Sequence, residues 1–515
     1  MKMKKIFILS LLAGALSVSC NNDLLEPFTP GSLTSDLAIT TSSDLQRVMN
    51  STYGLAANRE DVIFTSVFTD EAGIGFANGG QGISDNYIFF LNVSSASPDT
   101  IWTNGYLILS RANRVITFAD DLLAKTASSN TAEIAKLNSL KAEGLIVRAM
   151  AHLKIMGYFS PDLKSDAALA GVLADKVILS SEAPRQRSTN GVFYTSIHKD
   201  LDDAIAIFST TASPYSGNTA KLYASLNLAR GLKARAYSYK GDFPNAETWA
   251  NTVISTSGLV LADNTNYASV FITDSEPANT EVIFRLKRTL QQSSQATNIG
   301  NGWASVTATY SGSPFYEVAR SLYNKLVAVP GDVRKDVIVA PTSVIDPNYA
   351  TSTDYRATDV IVLGKYPGSG AVGNLNSDIK VMRLSEMYFL RAEGRVFAND
   401  LVGAATAIKA IRDKRFGTVQ PLPVYATPAA AWKAILDERR LEFAFEGYRF
   451  IDLKRLGTLA GGTSIDRDPA DYASSSANYP AANPINLPLS SPKFALPIPT
   501  TELNANPTIQ QNAGY

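Results

Sequence analysis

Apolar residues recur at three- and four-residue steps over most of the chain, and this spacing predicts amphipathic helices. The predicted helices cover residues 44–57, 102–123, 132–158 and 428–444. Asp44 provides an N-cap for the first of them. Two short strands are predicted, over residues 281–286 and 360–363. The pattern therefore favours a mainly α-helical fold.

Two later segments have the spacing of paired helices. Residues 230–256 place Gly241 between two helical stretches, and their small and aromatic positions match the tetratricopeptide pattern. Residues 388–412 repeat this arrangement with Asn399 in place of the glycine, and asparagine also tolerates the turn conformation. The sequence thus predicts a scaffold of tetratricopeptide-like helix pairs.

Long insertions rich in glycine, asparagine, serine and aromatic residues interrupt this scaffold. They lie near residues 58–101, 288–316, 341–378 and 458–495. Structureless loops of this length are uncommon unless they are functional. We therefore expect a single domain over residues 41–515, in which long loops and a few short strands cover one face of the helices.

The N-terminus has the pattern of a lipoprotein signal. Lys2, Lys4 and Lys5 precede an apolar stretch from Ile6 to Leu16, which is too short to span a bilayer as a mature helix. The single cysteine, Cys20, follows after Ser17-Val18-Ser19, so that a small residue immediately precedes it. We predict a signal peptide over residues 1–19, and a lipidated Cys20 with a tether over residues 20–40 that anchors the protein to a membrane.

Charge and cysteine content exclude several classes of protein. Without residues 1–19 the chain has 44 basic and 47 acidic residues, which offers no basic footprint for nucleic acid. One cysteine and two histidines exclude an internal disulfide and a Cys/His metal cluster. No cofactor is predicted. A structural calcium ion held by loop carboxylates would leave no spacing signature and is not predicted either.

No catalytic constellation stands out in the sequence. His152 and His198 both lie in helical patterns and are interpreted as packed or surface histidines. A pair of carboxylates for glycoside hydrolysis would depend on spatial separation, which sequence spacing does not test. The run Gly79-Gly80-Gln81-Gly82 lacks the lysine and the strand–helix context of a phosphate-binding loop. The chain is therefore predicted not to be an enzyme.

The remaining chemistry is that of aromatic and amide side chains in loops, which suits sugars. An aromatic ring offers a platform to the apolar face of a sugar, and amides supply directed hydrogen bonds to its hydroxyl groups. The candidate ligand-binding residues are Trp303, Trp102, Tyr310, Tyr316, Tyr87, Phe76, Asn301 and Asn86. A competing interpretation packs Trp102 against Tyr106 within a helix, and another has loop aromatics such as Trp303 fill a small core beneath the long loops. Trp249 and Trp432 are interpreted as core residues.

The segment from Arg439 to Gly457 is the most specific motif in the chain. Its alternating glutamates and arginines could form a polar active site, but they are interpreted as salt bridges that pin a helix to its neighbours, with Gly447 allowing a tight turn between two helices. This segment, the Arg111-Ala112-Asn113 helix, Tyr388 to Glu393 and the C-terminal residues 494–515 together resemble the SusD/RagB family of surface lipoproteins.

The resemblance implies a fold with four tetratricopeptide-like helix pairs and a variable, loop-rich face. It implies a non-catalytic protein at the outer membrane, lipid-anchored and facing the cell exterior. Its partner would be a SusC-like TonB-dependent transporter, to which it delivers oligosaccharides, although some relatives serve peptide import. The resemblance transfers no ligand-contacting residue, because the variable loops choose the ligand.

Four hypotheses about function follow from these observations. The first is an oligosaccharide receptor, and the second is a peptide receptor on the same scaffold. The third is a lipid-anchored glycoside hydrolase, which would need two carboxylates facing each other across a cleft. The fourth is a protein-interaction scaffold that uses the helix pairs alone.

Overall fold

The fold is described from a computed structural model. It describes residues 39–74, 83–179, 181–272, 276–293, 298–300, 303, 314–348, 351, 359–369, 372–471, 479 and 482–515.

Helices dominate the described residues. They are α1 Ser42–Ala56, α2 Glu60–Phe68, α3 Ala96–Lys125, α4 Thr131–Phe159, α5 Asn190–Thr210, α6 Gly217–Ala220, α7 Leu226–Lys240, α8 Phe243–Thr256, α9 Arg320–Val327, α10 Val333–Ile338, α11 Leu384–Phe397, α12 Leu401–Phe416, α13 Pro428–Glu442, α14 Arg449–Leu456 and α15 Thr500–Ala505. Within the described part of the chain, no helix has the length and apolar character needed to cross a membrane.

The strands are short and pair in twos. They are β1 Ala72–Ile74, β2 Val282–Leu286, β3 Tyr316–Val318, β4 Gly368–Ser369, β5 Gly373–Asn374, β6 Ile379–Arg383, β7 Ser464–Asp466 and β8 Asn486–Pro488. Antiparallel pairs form between β1 and β3, β2 and β6, β4 and β5, and β7 and β8. The fold is thus mainly α-helical with a few short strands, as predicted.

The helices stack in sequence order, each packing on its neighbour. Contacts run from α1 to α3, then through α4, α5, α7, α8 and α11 to α12. Gly144 lets α4 approach α3 closely, since a Cβ there would lie 3.0 Å from Ile116 Cγ1. The turns between α7 and α8 and between α11 and α12 contain Gly241 and Asn399, with φ of 82° and 58°. These left-handed residues confirm both predicted helix pairs.

Two boundary predictions are wrong. The segment 58–101 was predicted to be a long loop, but it contains α2, β1 and the first turn of α3. Trp102 therefore lies inside a helix rather than at a loop edge. Residues 360–363 form only isolated bridges, Val344 to Val360 and Val339 to Leu363, because the pairing between them is irregular and the Val362 N–H donates to Ser343 Oγ instead of to a carbonyl. The predicted strand over 281–286 is confirmed as β2.

The glutamates and arginines of the 439–457 segment form buried ion pairs, which confirms their structural interpretation. Arg439 Nε lies 2.8 Å from Asp452 Oδ2, and Arg455 Nη1 lies 2.6 Å from Glu393 Oε2. Arg449 binds Asp70 through two hydrogen bonds of 2.7 Å. All of these side chains are less than a tenth exposed. These ion pairs join α13 and α14 to α11 and to the residues that follow α2, and so they stabilise the helices beneath the long loops.

Candidate ligand-binding face

The sheet of β1 and β3 brings two of the long insertions to one edge. Ile74, the last residue of β1, lies opposite Tyr316, the first residue of β3. In an antiparallel pair, the end at which the chain leaves one strand is also the end at which the chain enters the other strand. Residue 74, in the 58–101 insertion, and residue 316, in the 288–316 insertion, therefore lie side by side.

A cluster of three tyrosines adds the 458–495 insertion to this edge. The ring of Tyr87 lies 5.7 Å from the ring of Tyr316 and 6.2 Å from the ring of Tyr479. Tyr479 is half-buried, and its hydroxyl donates to the carbonyl of Pro484 at 2.8 Å. Burial raises the pKa of Tyr316, although hydrogen bonds with Ser84 act against this, so the phenol stays protonated. We call this group the tyrosine cluster.

Arg467 holds the base of the tyrosine cluster. Its guanidinium lies 3.9 Å from the ring centroid of Tyr87 and 4.2 Å from that of Phe89. It donates to the carbonyls of Thr69 at 3.0 Å and Val67 at 2.9 Å, and also to the carbonyl of Tyr87. Because Arg467 follows β7, this side chain ties the fourth insertion to the end of α2 and to the turn that carries Tyr87.

The 341–378 insertion also lies beside the sheet of β1 and β3. The backbone N–H of Val318 donates to Ile361 at 3.0 Å, and Ile361 N–H donates to Glu317 Oε2 at 3.0 Å. Arg320, the first residue of α9, pairs with Asp359. Segments that are far apart in sequence therefore meet around β1 and β3, and this is the loop-rich face that the sequence predicted.

The structure does not give Trp303 the exposure that was predicted for it. Its side chain is 1% exposed. Its Nε1 donates to Ser66 Oγ at 2.7 Å, and its ring stacks on Tyr366 at 5.6 Å and meets Phe445 edge-on at 5.5 Å. The prediction of an exposed platform is wrong here, because the indole packs into the main hydrophobic core of the described residues.

Trp102 is also buried, and the competing interpretation is confirmed. Its ring packs on Tyr106 at 4.7 Å and on Phe159 at 4.8 Å, and its Nε1 donates to Glu502 Oε2 at 3.2 Å. The indole therefore anchors the C-terminal segment to α3 and α4 and offers no ring to solvent.

The other predicted residues divide into two groups. Tyr87 and Tyr316 are 0% and 8% exposed, so each supports the face from beneath and presents no open ring. Asn86 is half-buried and donates to Ser97 Oγ at 2.8 Å. Phe76, Asn301, Tyr310 and Cys20 lie outside the described residues and stay predictions. The sequence reasoning missed Arg467 and Tyr479, which no local pattern marks because their partners are distant in the chain.

Neither histidine has the surroundings of a general base. His152 is buried, its Nε2 accepts from the N–H of Ala174 at 3.2 Å, and burial followed by the charge of Arg148 lowers its pKa to about 3. His198 stacks on Tyr237 at 4.2 Å, and burial is the main cause that lowers its pKa to about 4. Both are packed, neutral histidines, as the sequence predicted.

The pKa values of Asp70 and Glu71 are shifted in opposite directions, but both carboxyl groups are buried and cannot reach a substrate. Burial and then the charge of Asp70 raise the pKa of Glu71 to about 8, whereas Arg440 and Arg449 overcome burial and lower that of Asp70. Glu71 is 1% exposed and accepts from the Phe445 N–H, and Asp70 is 6% exposed and accepts from Arg449. Among the described residues, no group of three or more His, Cys, Asp and Glu side chains could hold a metal ion.

The comparisons agree with a helix-pair scaffold that carries a loop-built face. A family profile described as the SusD family matches residues 303–515, and one described as starch-binding and associating with the outer membrane matches residues 32–230. These matches, from both halves of the chain, and the fold together define a SusD-like protein. The chain belongs to the SusD/RagB family.

Solved structures show the same fold. A SusD superfamily protein from Bacteroides thetaiotaomicron is 23% identical with a TM-score of 0.72, covering 92% of this chain and 100% of its own. A putative sugar-binding protein from Bacteroides vulgatus is 23% identical with a TM-score of 0.71, covering 93% and 99%. A laminarin-binding SusD-like protein is 22% identical with a TM-score of 0.65, covering 93% and 100%. No curated protein matches the chain.

Proposed function

We propose that this chain is a non-catalytic receptor that binds oligosaccharides at the face around the tyrosine cluster. The observation that carries the proposal is the convergence of the insertions at the edge of β1 and β3 on a SusD-like scaffold. The names of the family profile and of the sugar-binding and laminarin-binding structures support a saccharide as the ligand. The ligand would contact residues of the segments that leave this edge, with Phe76, Tyr310 and Asn301 as candidates.

The proposal includes a location and a partner. Lipidation at Cys20 would anchor the protein to the outer membrane with the loop face toward the cell exterior. The bound saccharide would pass to a SusC-like TonB-dependent transporter. The family profile that names the outer membrane supports the location, and the family resemblance supports the partner.

A glycan panel tests the binding step. The mature protein, and its Tyr479→Ala, Phe76→Ala and Tyr310→Ala variants, are titrated calorimetrically with any oligosaccharide that the panel identifies. Phe397→Ala is the control, since this ring is 59% exposed at the end of α11 in the helical scaffold. Loss of binding in at least one loop variant, with the control unchanged, supports the proposal. A folded protein that binds no glycan contradicts it.

A peptide receptor is the second candidate, and one observation favours it. The aromatic residues predicted as sugar platforms are buried wherever the structure describes them, namely Trp303, Trp102, Tyr87 and Tyr316. Peptides need backbone hydrogen bonds and pockets more than ring platforms. Retention of a peptide mixture by the mature protein, together with no response to the glycan panel, would favour this candidate.

A further inference from the structure

A pocket of about 340 Å³ opens between the end of α1 and the segment that follows β2. This volume is within the range of small-molecule binding pockets. The residues that matter for its chemistry are Asn58, Arg59, Glu60, Asn104, Arg288 and Gln292. They come from two different insertions and from α3, so the pocket exists only in the folded protein. We call it the arginine pocket.

Two guanidinium groups line the arginine pocket. Arg288 is 2% exposed, and it donates to the carbonyl of Ala57 at 2.6 Å and to Asn376 Oδ1 at 2.7 Å. Arg59 is half-buried and donates to the carbonyl of Asn298. Burial and then the nearby charge of Arg59 lower the pKa of Arg288 to about 10. The pocket lining contains these two guanidinium groups and one carboxylate, Glu60, so its net charge is +1 and favours an anion.

Two side-chain amides add hydrogen-bond donors. Asn58 Oδ1 accepts from the N–H of Glu60 at 2.8 Å, and Gln292 Oε1 accepts from the N–H of Thr289 at 3.0 Å. These bonds fix the orientation of each amide and use its oxygen. The Asn58 Nδ2 and Gln292 Nε2 groups make no hydrogen bond to the described residues and remain available to a ligand. The lining is therefore rich in donors.

The carboxylate of Glu60 is already engaged. Its Oε1 accepts from Ser97 Oγ at 2.5 Å, and Ser97 Oγ accepts from Asn86 Nδ2 at 2.8 Å. The neighbouring Asp61 pairs with Lys154 at 2.6 Å. This series of hydrogen bonds runs from Glu60 through Ser97 to Asn86, the residue before Tyr87. The arginine pocket therefore lies beside the turn that supports the tyrosine cluster.

We propose that the arginine pocket binds the carboxylate of an acidic sugar unit, so that the preferred ligand is a uronate-containing oligosaccharide. This inference rests on the proposed function and names the substrate class of the receptor. A carboxylate would accept charge-assisted hydrogen bonds from Arg59 and bonds from the two amides, and the buried Arg288 would add its charge. The neutral part of the saccharide would extend toward the loop face.

The test compares acidic oligosaccharides with their carboxyl-reduced forms. The probes are short oligomers of galacturonic, glucuronic and mannuronic acid, each paired with the neutral sugar made by reducing its carboxyl groups. Calorimetry with the mature protein should give at least about tenfold tighter binding of one acidic oligomer than of its reduced form, because charged hydrogen bonds carry this discrimination. Its affinity should fall as the salt concentration rises.

Three variants locate the effect. Arg59→Met should weaken binding of the acidic oligomer roughly tenfold or more and leave binding of the reduced form unchanged, and Arg59→Lys should recover part of the loss. Gln292→Glu keeps the acceptor for Thr289 but adds a negative charge, and it should also weaken acidic binding selectively. Arg47→Met is the matched control, since this arginine lies on α1 with its side chain 76% exposed.

The outcomes separate this inference from the proposed function. Binding of neutral glycans but of no acidic oligomer overturns the inference and leaves the receptor standing. Equal affinity for acidic and reduced forms does the same, as does an Arg59→Met protein with unchanged preference. If no saccharide of either kind binds, the proposed function and this inference both fail.

Discussion

Glu442 is the carboxylate on which the largest buried ion network depends. Its Oε1 accepts from Arg415 Nη2 at 2.6 Å and from Arg383 Nη1 at 2.7 Å, and its Oε2 accepts from Arg415 Nε at 3.0 Å. Arg334 Nη1 lies 3.6 Å from the same carboxylate, and the Glu442 side chain is 0% exposed. Burial would raise the pKa of Glu442, but Arg415 and Arg383 outweigh it and hold that pKa well below its usual range.

The substitution Glu442→Gln keeps the shape of this side chain and removes its charge. At an effective dielectric constant of about 20, each contact near 2.7 Å contributes about 6 kcal/mol of Coulomb attraction, which largely offsets the desolvation of the ions. Removing the charge of Glu442 leaves the guanidinium groups buried without the attraction that offsets their desolvation. Breaking a buried pair typically costs about 3–5 kcal/mol, and we expect Glu442→Gln to lower the free energy of unfolding by this amount.

Urea unfolding followed by circular dichroism measures the change. Lys433→Gln is the matched control, because Lys433 and Asp437 form an exposed pair on α13 with side chains 65% and 33% exposed. Such a pair contributes only about 0.3–0.5 kcal/mol. The double variant Glu442→Gln with Arg415→Met should cost less than the sum of the two single changes, since it removes an opposite charge together with the carboxylate.

The reasoning would be refuted by a small effect. If Glu442→Gln changed the free energy of unfolding by less than about 1 kcal/mol, the network would behave like an exposed ion pair. Additive costs in the double variant would show that Glu442 and Arg415 do not stabilise each other, contrary to the distances between them.

Three further predictions concern burial and backbone conformation. Burial raises the pKa of Glu143 to about 8 while Tyr53 donates to it, so the folded state keeps a proton that the unfolded state loses above its ordinary value of 4.5. Stability should therefore fall as pH rises from about 4.5 to about 8, and Glu143→Gln should remove this loss and gain about 1–4 kcal/mol at pH 9 in urea unfolding. Trp303→Phe keeps a packed ring but loses the donor to Ser66, so it should cost about 1–3 kcal/mol in the same assay; unchanged stability together with lost ligand binding would contradict a core role. Asn399 has a φ of 58°, so Asn399→Ala should lower the melting temperature with a cost of about 1 kcal/mol, whereas Asn399→Gly should stay within about 0.5 kcal/mol of the original protein.

The helical scaffold could be predicted from local sequence. Helix periodicity placed α4 within one residue at each end, and the turn residues Gly241 and Asn399 marked the two helix pairs. These signals are local, because helix hydrogen bonds and turn conformations join residues that are four or fewer apart. The ion-pairing role of the Arg439 to Gly457 segment could also be predicted, since glutamate and arginine alternate there at helical spacing.

The candidate site was only partly predictable. The composition of the insertions indicated a loop-rich face, and the structure brings them together around β1 and β3. It did not indicate which aromatic rings are exposed. Trp303 lies among Ser66, Tyr366 and Phe445, and its burial depends on these distant segments rather than on its own neighbours in sequence.

The helix pairs, their turns and the family of this protein could be inferred from the amino-acid sequence, because they follow from periodicity, backbone conformation and motif. Three features are visible only in the folded chain: Trp102 and Trp303 are core residues, Arg467 ties the tyrosine cluster together, and Arg59 and Arg288 share one pocket. The physical reason is that burial and charge proximity depend on which remote segments pack together, and that pairing is set by strand register and core packing over the whole chain.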